Sequence, residues 1–366
     1  MKKSFLYEDV YKKILTDINT GHYSCGEELP KEKELCEMYF VSLITVRRAL
    51  KELEDRGIVT KIRGKGTIVS DKIRSISDQS AINRNLGVLE IPFEEQDDKA
   101  YGHIPGMTDD INRNEWTNLI YSSMYRTLSN DFNIIISMHT QSEVLNNFDN
   151  TVFTNVERLL VIGNYNKEII DFLHKKGKLV IVYNNFDRNI NVCSVTTNER
   201  EACREAVEML LQKGHRRIAA INGSITFSES VERAMGYQEA LLNNSVFVNS
   251  KYIKWGDMTA ESGYYFMKQF LAEPERPTAV FCANDNVAAG AYLALKEQDI
   301  RCPEDICIIG HDNNILVCRK VGMRFTSIDP RFSFVGEKIA EKLTREVWID
   351  DLSRVTCKIV YQDSTD

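Results

Sequence analysis

Short helical periods and turns alternate through the first seventy residues. Leu6, Val10, Ile14 and Ile18 recur every fourth position, which predicts a helix closed by Gly21. A turn-rich connector, "GHYSCGEELP", leads to Pro30 and a short helix over "KEKELCEMYF", with Leu35 and either Met38 or Tyr39 turned inward. In "VSLITVRRALKEL", Val46, Ala49, Leu50 and Leu53 share one helical face, and Arg47, Arg48 and Lys51 share the other. Ser42 stands where an N-cap belongs and Gly57 where that helix must stop. Two β-rich runs, 58–62 and 67–69, then flank "RGKG", whose glycines permit the positive φ of a hairpin. Three short helices and a basic hairpin predict a winged helix-turn-helix.

Residues 70–85, "SDKIRSISDQSAINRN", are polar and aperiodic, which suggests a linker. From Leu86 onward strands and helices alternate. Strand candidates are "LGVLEI", "FNIIIS", "RLLVIG", "KLVIVYN", "RIAAIN", "TAVFCA" and "DICIIG", with helical stretches such as 262–271 and 286–298 between them. That alternation predicts an α/β doubly wound parallel sheet. Nearly 280 residues exceed what one such sheet needs, so two lobes are expected. The expected domains are a winged helix-turn-helix head at 1–70, a linker at 71–85 and a two-lobed domain at 86–366.

At 43% hydrophobic and 27% charged residues, the chain has the composition of a soluble globular protein. No apolar run is long enough to span a membrane, and Glu8 and Asp9 interrupt any signal-peptide core. A cytoplasmic protein is therefore expected, with no membrane partner. The nine cysteines are scattered without Cys-x-x-Cys pairs or histidine clusters, so they read as reduced thiols with no metal site. Charge is uneven. Residues 1–74 hold 15 Lys and Arg against 12 Asp and Glu, whereas the whole chain is at -7. A basic head on an acidic body points to a polyanion as the head's partner.

On these residues, "GEELPKEKELCEMYFVSLITVRRALKELEDRGIVTKIRGKGTIV" resembles the DNA-binding domain of GntR-type bacterial regulators. A recognition helix brings its N-terminal residues to base edges in the major groove. Ser42 and Thr45 can donate to phosphate or bases, and Arg47 and Arg48 are candidates for bidentate reading of guanine. Ile44 is placed to meet a thymine methyl. Lys33 aligns with a basic DNA-contacting position of the family. Arg63, Gly64 and Lys65, at the hairpin tip, suit phosphate or minor-groove contact. Leu43 departs from the family, which has arginine after the serine of "VS", so a familiar DNA contact is missing.

The segments 197–223, 232–241, 277–313 and 326–343 resemble the effector domain of LacI-type repressors, relatives of periplasmic sugar-binding proteins. Residues 86–191 match only in strand order and carry an acidic insertion, "EEQDDKAYGHIPGMTDD". A GntR-type head on this domain resembles the arabinose-repressor group. Ligands of open α/β sheets bind at the carboxyl ends of the strands, here between two lobes. The resemblance aligns Arg233, Asn284 and Asp312 with effector-contacting positions of the second lobe. Carboxylate, guanidinium and amide together satisfy sugar hydroxyls. Trp116, offering an apolar ring face, and Asn184 are the first-lobe candidates. Against these stand plainer roles: an Arg233–Asp312 ion pair, a helix cap at Asp285, a turn anchor at His215, and Trp116 as core. His311 is a further residue at the cleft.

No G-x-G-x-x-G after a strand, Walker loop or G-x-S-x-G elbow is present, which argues against an α/β enzyme acting on a sugar or nucleotide. The expectation is a one-component transcription regulator without cofactor, most simply a repressor. It binds operator DNA as a homodimer, because pseudo-palindromic sites mirror two-fold symmetry. A small carbohydrate is the expected effector; a purine or an amino acid is the alternative.

Overall fold

The computed structural model describes residues 6–19, 21–70, 73–74, 84–92, 101, 104, 115–128, 132–187, 189–345 and 348–365. Helices α1 (Leu6–Asn19), α2 (Glu32–Tyr39) and α3 (Leu43–Asp55) precede a hairpin of β1 (Val59–Ile62) and β2 (Gly66–Val69). Val46, Ala49, Leu50 and Leu53 are the buried residues of α3, as their spacing requires, and they meet Ile14, Leu35 and Ile58 in one core. Ser42 caps α3, its Oγ accepting from the Thr45 N–H, a contact worth about 1 kcal/mol. The antiparallel register pairs Val59 with Val69 and Ile62 with Gly66. Gly66 holds φ +95°, a conformation that side-chain-bearing residues rarely adopt, and a Cβ there would also displace the Glu28 carboxylate. Of the two inward candidates on α2, Tyr39 packs on the core and Met38 is exposed.

The chain continues through β3 (Ile73–Arg74), β4 (Asn85–Ile91), α4 (Glu115–Leu128), β5 (Asn133–Met138), α5 (Gln141–Asn147), β6 (Arg158–Gly163), α6 (Lys167–Lys175), β7 (Leu179–Tyr183) and β8 (Cys193–Thr197). There follow α7 (Glu199–Gln212), β9 (Ile218–Asn222), α8 (Ser228–Asn243), β10 (Ile253–Trp255), α9 (Ala260–Ala272), β11 (Ala279–Cys282), α10 (Asp285–Glu297), β12 (Cys307–His311), α11 (Ile315–Val321) and β13 (Thr326–Asp329). Helix α12 (Phe332–Leu343) and strands β14 (Trp348–Ile349), β15 (Leu352–Val355) and β16 (Lys358–Val360) complete the order.

Contacts divide the chain into two units. The first comprises Met1–Pro92, Tyr125–Val195 and Lys338–Ser353; the second comprises Phe93–Met124, Thr196–Glu337 and Arg354–Asp366. The first unit holds the head and a sheet ordered β5-β4-β6-β7-β8-β15, parallel from β5 to β8. The second holds a sheet ordered β10-β9-β11-β12-β13-β16, parallel but for β16. Each sheet thus has the doubly wound order with one switch point, between β4 and β6 and between β9 and β11. Central strands such as β7, β9 and β12 are buried along their whole length, which explains their unbroken apolar runs.

This division cuts across the boundaries expected at 70 and 85, for a physical reason. Ile73 and Arg74, inside the expected linker, pair antiparallel with Ile349 and Trp348, and Ile349 enters the core of the head. Residues 71–72 and 75–83 of that linker lie outside the described residues, as does most of the acidic insertion. Of the insertion, Tyr101 packs its ring on Tyr265 and Phe266 of α9.

Candidate functional site

On the head, Lys33, Ser42, Ile44, Arg47, Arg48, Arg63, Gly64 and Lys65 are all exposed, and Thr45 is half-buried with its hydroxyl 2.9 Å from that of Ser42. Lys33 lies on α2, the others at the N-cap and first turns of α3 and at the hairpin tip, where Gly64 holds φ +85°. Arg47 and Lys61 both donate to Glu32, each at 2.8 Å, and these two bonds hold the Glu32 carboxyl below its ordinary range. Such an exposed pair is worth at most about 1 kcal/mol. Glu32 fixes where Arg47 points. Lys61 was not foreseen as part of this face; its only signal was a basic residue at the foot of the hairpin.

Arg48, also exposed, stacks its guanidinium over the Tyr7 ring at 3.9 Å and so also ties α3 to α1.

In the second unit, the carboxyl ends of β9, β11 and β12 bring Arg233, Asn284 and Asp312 to one end of the sheet. Arg233, on α8, spans the switch point. Its Nη1 donates to the Ala283 carbonyl after β11 at 2.6 Å, and its Nε donates to Glu199 at 2.8 Å. The ion pair weighed for Arg233 is therefore real, but its partner is Glu199 at the start of α7, not Asp312. Thr197 donates to the other Glu199 oxygen. His311, fully buried, lies 2.8 Å from Glu199 through Nε2 and 2.8 Å from Asp312 Oδ1 through Nδ1. One buried network thus runs Arg233–Glu199–His311–Asp312.

The charges in it set each other. Burial alone would raise the Glu199 pKa, but Arg233 and His311 outweigh it and hold the carboxylate far below its usual range. Burial opposes the Arg233 charge, and Glu199 and Asp312 more than restore it. For His311, burial and Arg233 disfavour the proton, yet Glu199 and Asp312 prevail and lift its pKa above the ordinary value. Asp312 is the member that reaches the surface, at φ +94°, a conformation unusual for any residue with a side chain.

Asn284 takes the cap expected of Asp285. Asn284 is the N-cap of α10, its Oδ1 accepting from Val287 N–H at 2.8 Å while Nδ2 donates to the Met258 carbonyl. Asp285, fully inside, accepts from Asn314 N–H and from Ser327 Oγ. Burial pushes its pKa up to about 8. The Asn284 amide is thus already engaged at both ends, which weakens it as an effector contact. Trp116 was placed with the first lobe; it belongs to the second unit, where its ring packs on Phe332. Asn184 is buried in the first unit at φ +57°, its backbone N–H donating to the Val195 carbonyl. His215 shares a 2.9 Å hydrogen bond with Thr278 and anchors the turn before β9. No helix among the described residues is long and apolar enough to cross a membrane.

Comparisons with known proteins agree with this layout. Residues 6–69 match the family of bacterial regulatory proteins called GntR, and residues 194–365 match the periplasmic binding protein-like domain. The chain is similar to the probable HTH-type transcriptional repressor ExuR of Bacillus subtilis, at 30% identity over 51% of this chain and 56% of that one. It is also similar to the HTH-type transcriptional repressor PurR of Erwinia tasmaniensis, at 36% identity over 43% of this chain and 47% of that one. It thus spans about half the length of these relatives. Among solved structures, a transcriptional regulator CelR-cellobiose complex superposes with a TM-score of 0.64 at 20% identity, over 88% of this chain and 90% of that one.

Proposed function

Since the chain joins a GntR-family regulatory head to a periplasmic binding protein-like domain, we propose that it is a one-component transcription repressor whose operator affinity is set by a small carbohydrate. The functional modules are the winged helix-turn-helix at 1–70, the connector at 71–85 and the effector domain at 86–366. It acts as a cytoplasmic homodimer on a pseudo-palindromic operator and does no chemistry. Its relatives are named as repressors.

The observation that carries the effector half is the Arg233–Glu199–His311–Asp312 network. It presents an acceptor at the surface, Asp312, backed by a buried guanidinium. Sugar hydroxyls both donate and accept, so they suit that pair. The ring of Trp116 offers an apolar face. A planar purine, the alternative effector, would ask for aromatic rings on two sides. The link from effector to operator runs through backbone pairing, because β14 joins β3 and Ile349 sits in the head's core.

The experiment has two arms. Operator DNA selected from a random pool is titrated with the full-length dimer, and thermal shift is then measured against neutral sugars, sugar phosphates, nucleobases and amino acids. Stabilisation by one neutral sugar, with a change in operator affinity, is expected. Stabilisation by a nucleobase alone replaces the carbohydrate reading, and failure to select any DNA removes the repressor reading.

A further inference from the structure

Four large apolar side chains stand out of the head within seven residues: Met38 is 48% exposed, Phe40 93%, Leu43 36% and Ile44 80%. Phe40 is the extreme case. It closes α2 at φ +54°, its N–H donating to the Cys36 carbonyl, in the left-handed region where a bulky side chain is least at ease. The fold therefore holds an aromatic ring in water and in a disfavoured backbone conformation at the same position. The backbone conformation has a structural return, the left-handed cap that ends α2; the exposed ring has none, since it is absent from the head's core. A wholly exposed ring among three other exposed apolar side chains marks a site kept for contact with something else.

Position identifies the contact. Phe40 lies two residues before Ser42, the N-cap of α3, and so within roughly 7 Å of it along the chain. Ile44, also exposed, is on the first turn of α3. The N-terminal turn of a recognition helix approaches base edges in the major groove. Apart from hydrogen-bonding edges, the major groove shows one apolar group, the C5-methyl of thymine. Around this patch stand Lys33, Arg47 and the hydroxyls of Ser42 and Thr45, groups suited to phosphates and bases.

We infer that Phe40 is a base-reading residue, whose ring packs on a thymine methyl of each operator half-site beside the methyl contact of Ile44. This rests on the repressor reading above. It gives the head a specificity element outside the helix that carries its arginines, and one that compensates for Leu43, which offers no donor.

The test uses full-length protein and its selected operator. Phe40→Gly relieves the backbone, so its melting temperature should equal or exceed that of the wild type. Its operator affinity should fall roughly fivefold, with binding to random DNA unchanged. Replacing operator thymines one at a time by deoxyuridine, which lacks the methyl, should weaken the wild type at one position per half-site that Phe40→Gly no longer senses. Equal operator affinity for Phe40→Gly and wild type overturns the inference while leaving the repressor reading intact. A loss in Phe40→Gly without any difference in deoxyuridine sensitivity overturns the thymine assignment. Absence of sequence-specific binding by the wild type overturns both.

Discussion

Arg233 donates its Nε–H to Glu199 Oε2 across 2.8 Å, and both side chains are buried. The pair joins the start of α7 to the middle of α8, and through the Ala283 carbonyl to the end of β11. Removing one member strands the other charge in the interior. Glu199→Ala should therefore cost about 3–5 kcal/mol in urea unfolding of the second unit. A paired replacement, Glu199→Met with Arg233→Met, should recover most of that loss while abolishing the effector response. Equal stability of Glu199→Ala and wild type contradicts the network.

Stability should depend on pH with a definite sign. The proton on His311 is favoured by the fold, so its contribution is complete below the ordinary value of 6.5 and drains away as pH rises through the elevated one. Asp285 acts the same way, because its pKa climbs from 3.8 to about 8. The melting temperature should thus decline from pH 5 to pH 9 (about that range). His311→Gln should flatten the decline above about 6.5, and Asp285→Asn the part below about 8. A wild-type melting temperature that rises across this interval runs against both assignments.

Ile349 sits among the core residues of the head, and its strand pairs with Ile73 and Arg74. Truncating it leaves a cavity at this junction. Ile349→Ala should lower stability by about 2–4 kcal/mol and reduce the change in operator affinity caused by effector, with the effector's own affinity little altered. Fluorescence anisotropy of labelled operator, titrated with and without effector, reads this directly. An unaltered ratio of the two operator affinities places the coupling elsewhere.

The parts of the fold legible in the sequence were those with a local cause. Val46, Ala49, Leu50 and Leu53 bury because of helical spacing alone, and the strands "RLLVIG", "KLVIVYN" and "RIAAIN" bury because both faces of a parallel sheet are covered. What escaped was set by residues distant in sequence. Nothing near Ile73 announces a partner at Ile349, and a two-residue strand has no period to detect. Glu199 reads as an ordinary first-turn acid, yet Arg233 and His311 make it the hub of the network. Asn284 and Asp285 are equally good caps by composition. The choice between them was made by Ser327 and Asn314, which claim the Asp285 carboxylate.

On the DNA face, charge and base reading should separate. Lys65→Ala should weaken binding to all DNA alike and reduce the salt slope by roughly one unit, as for a lost phosphate contact. Arg47→Ala should remove about 1–3 kcal/mol from operator binding and relax selectivity at one base pair. Operator titrations at several salt concentrations distinguish them. A loss for Lys65→Ala confined to one base position makes it a base reader instead.

Asp312 bears the central claim, because it is the network's outlet to the surface and the candidate acceptor for sugar hydroxyls. The deciding measurement is isothermal titration of the effector into wild type and Asp312→Ala, each free and bound to operator. The account predicts that the variant binds operator as the wild type does but binds the sugar roughly 30- to 1,000-fold more weakly, the effect of about 2–4 kcal/mol. It also predicts that the sugar no longer shifts the variant's operator affinity. If Asp312→Ala binds the same sugar as tightly as the wild type, the effector site lies away from the Arg233–Glu199–His311–Asp312 network and the account is wrong.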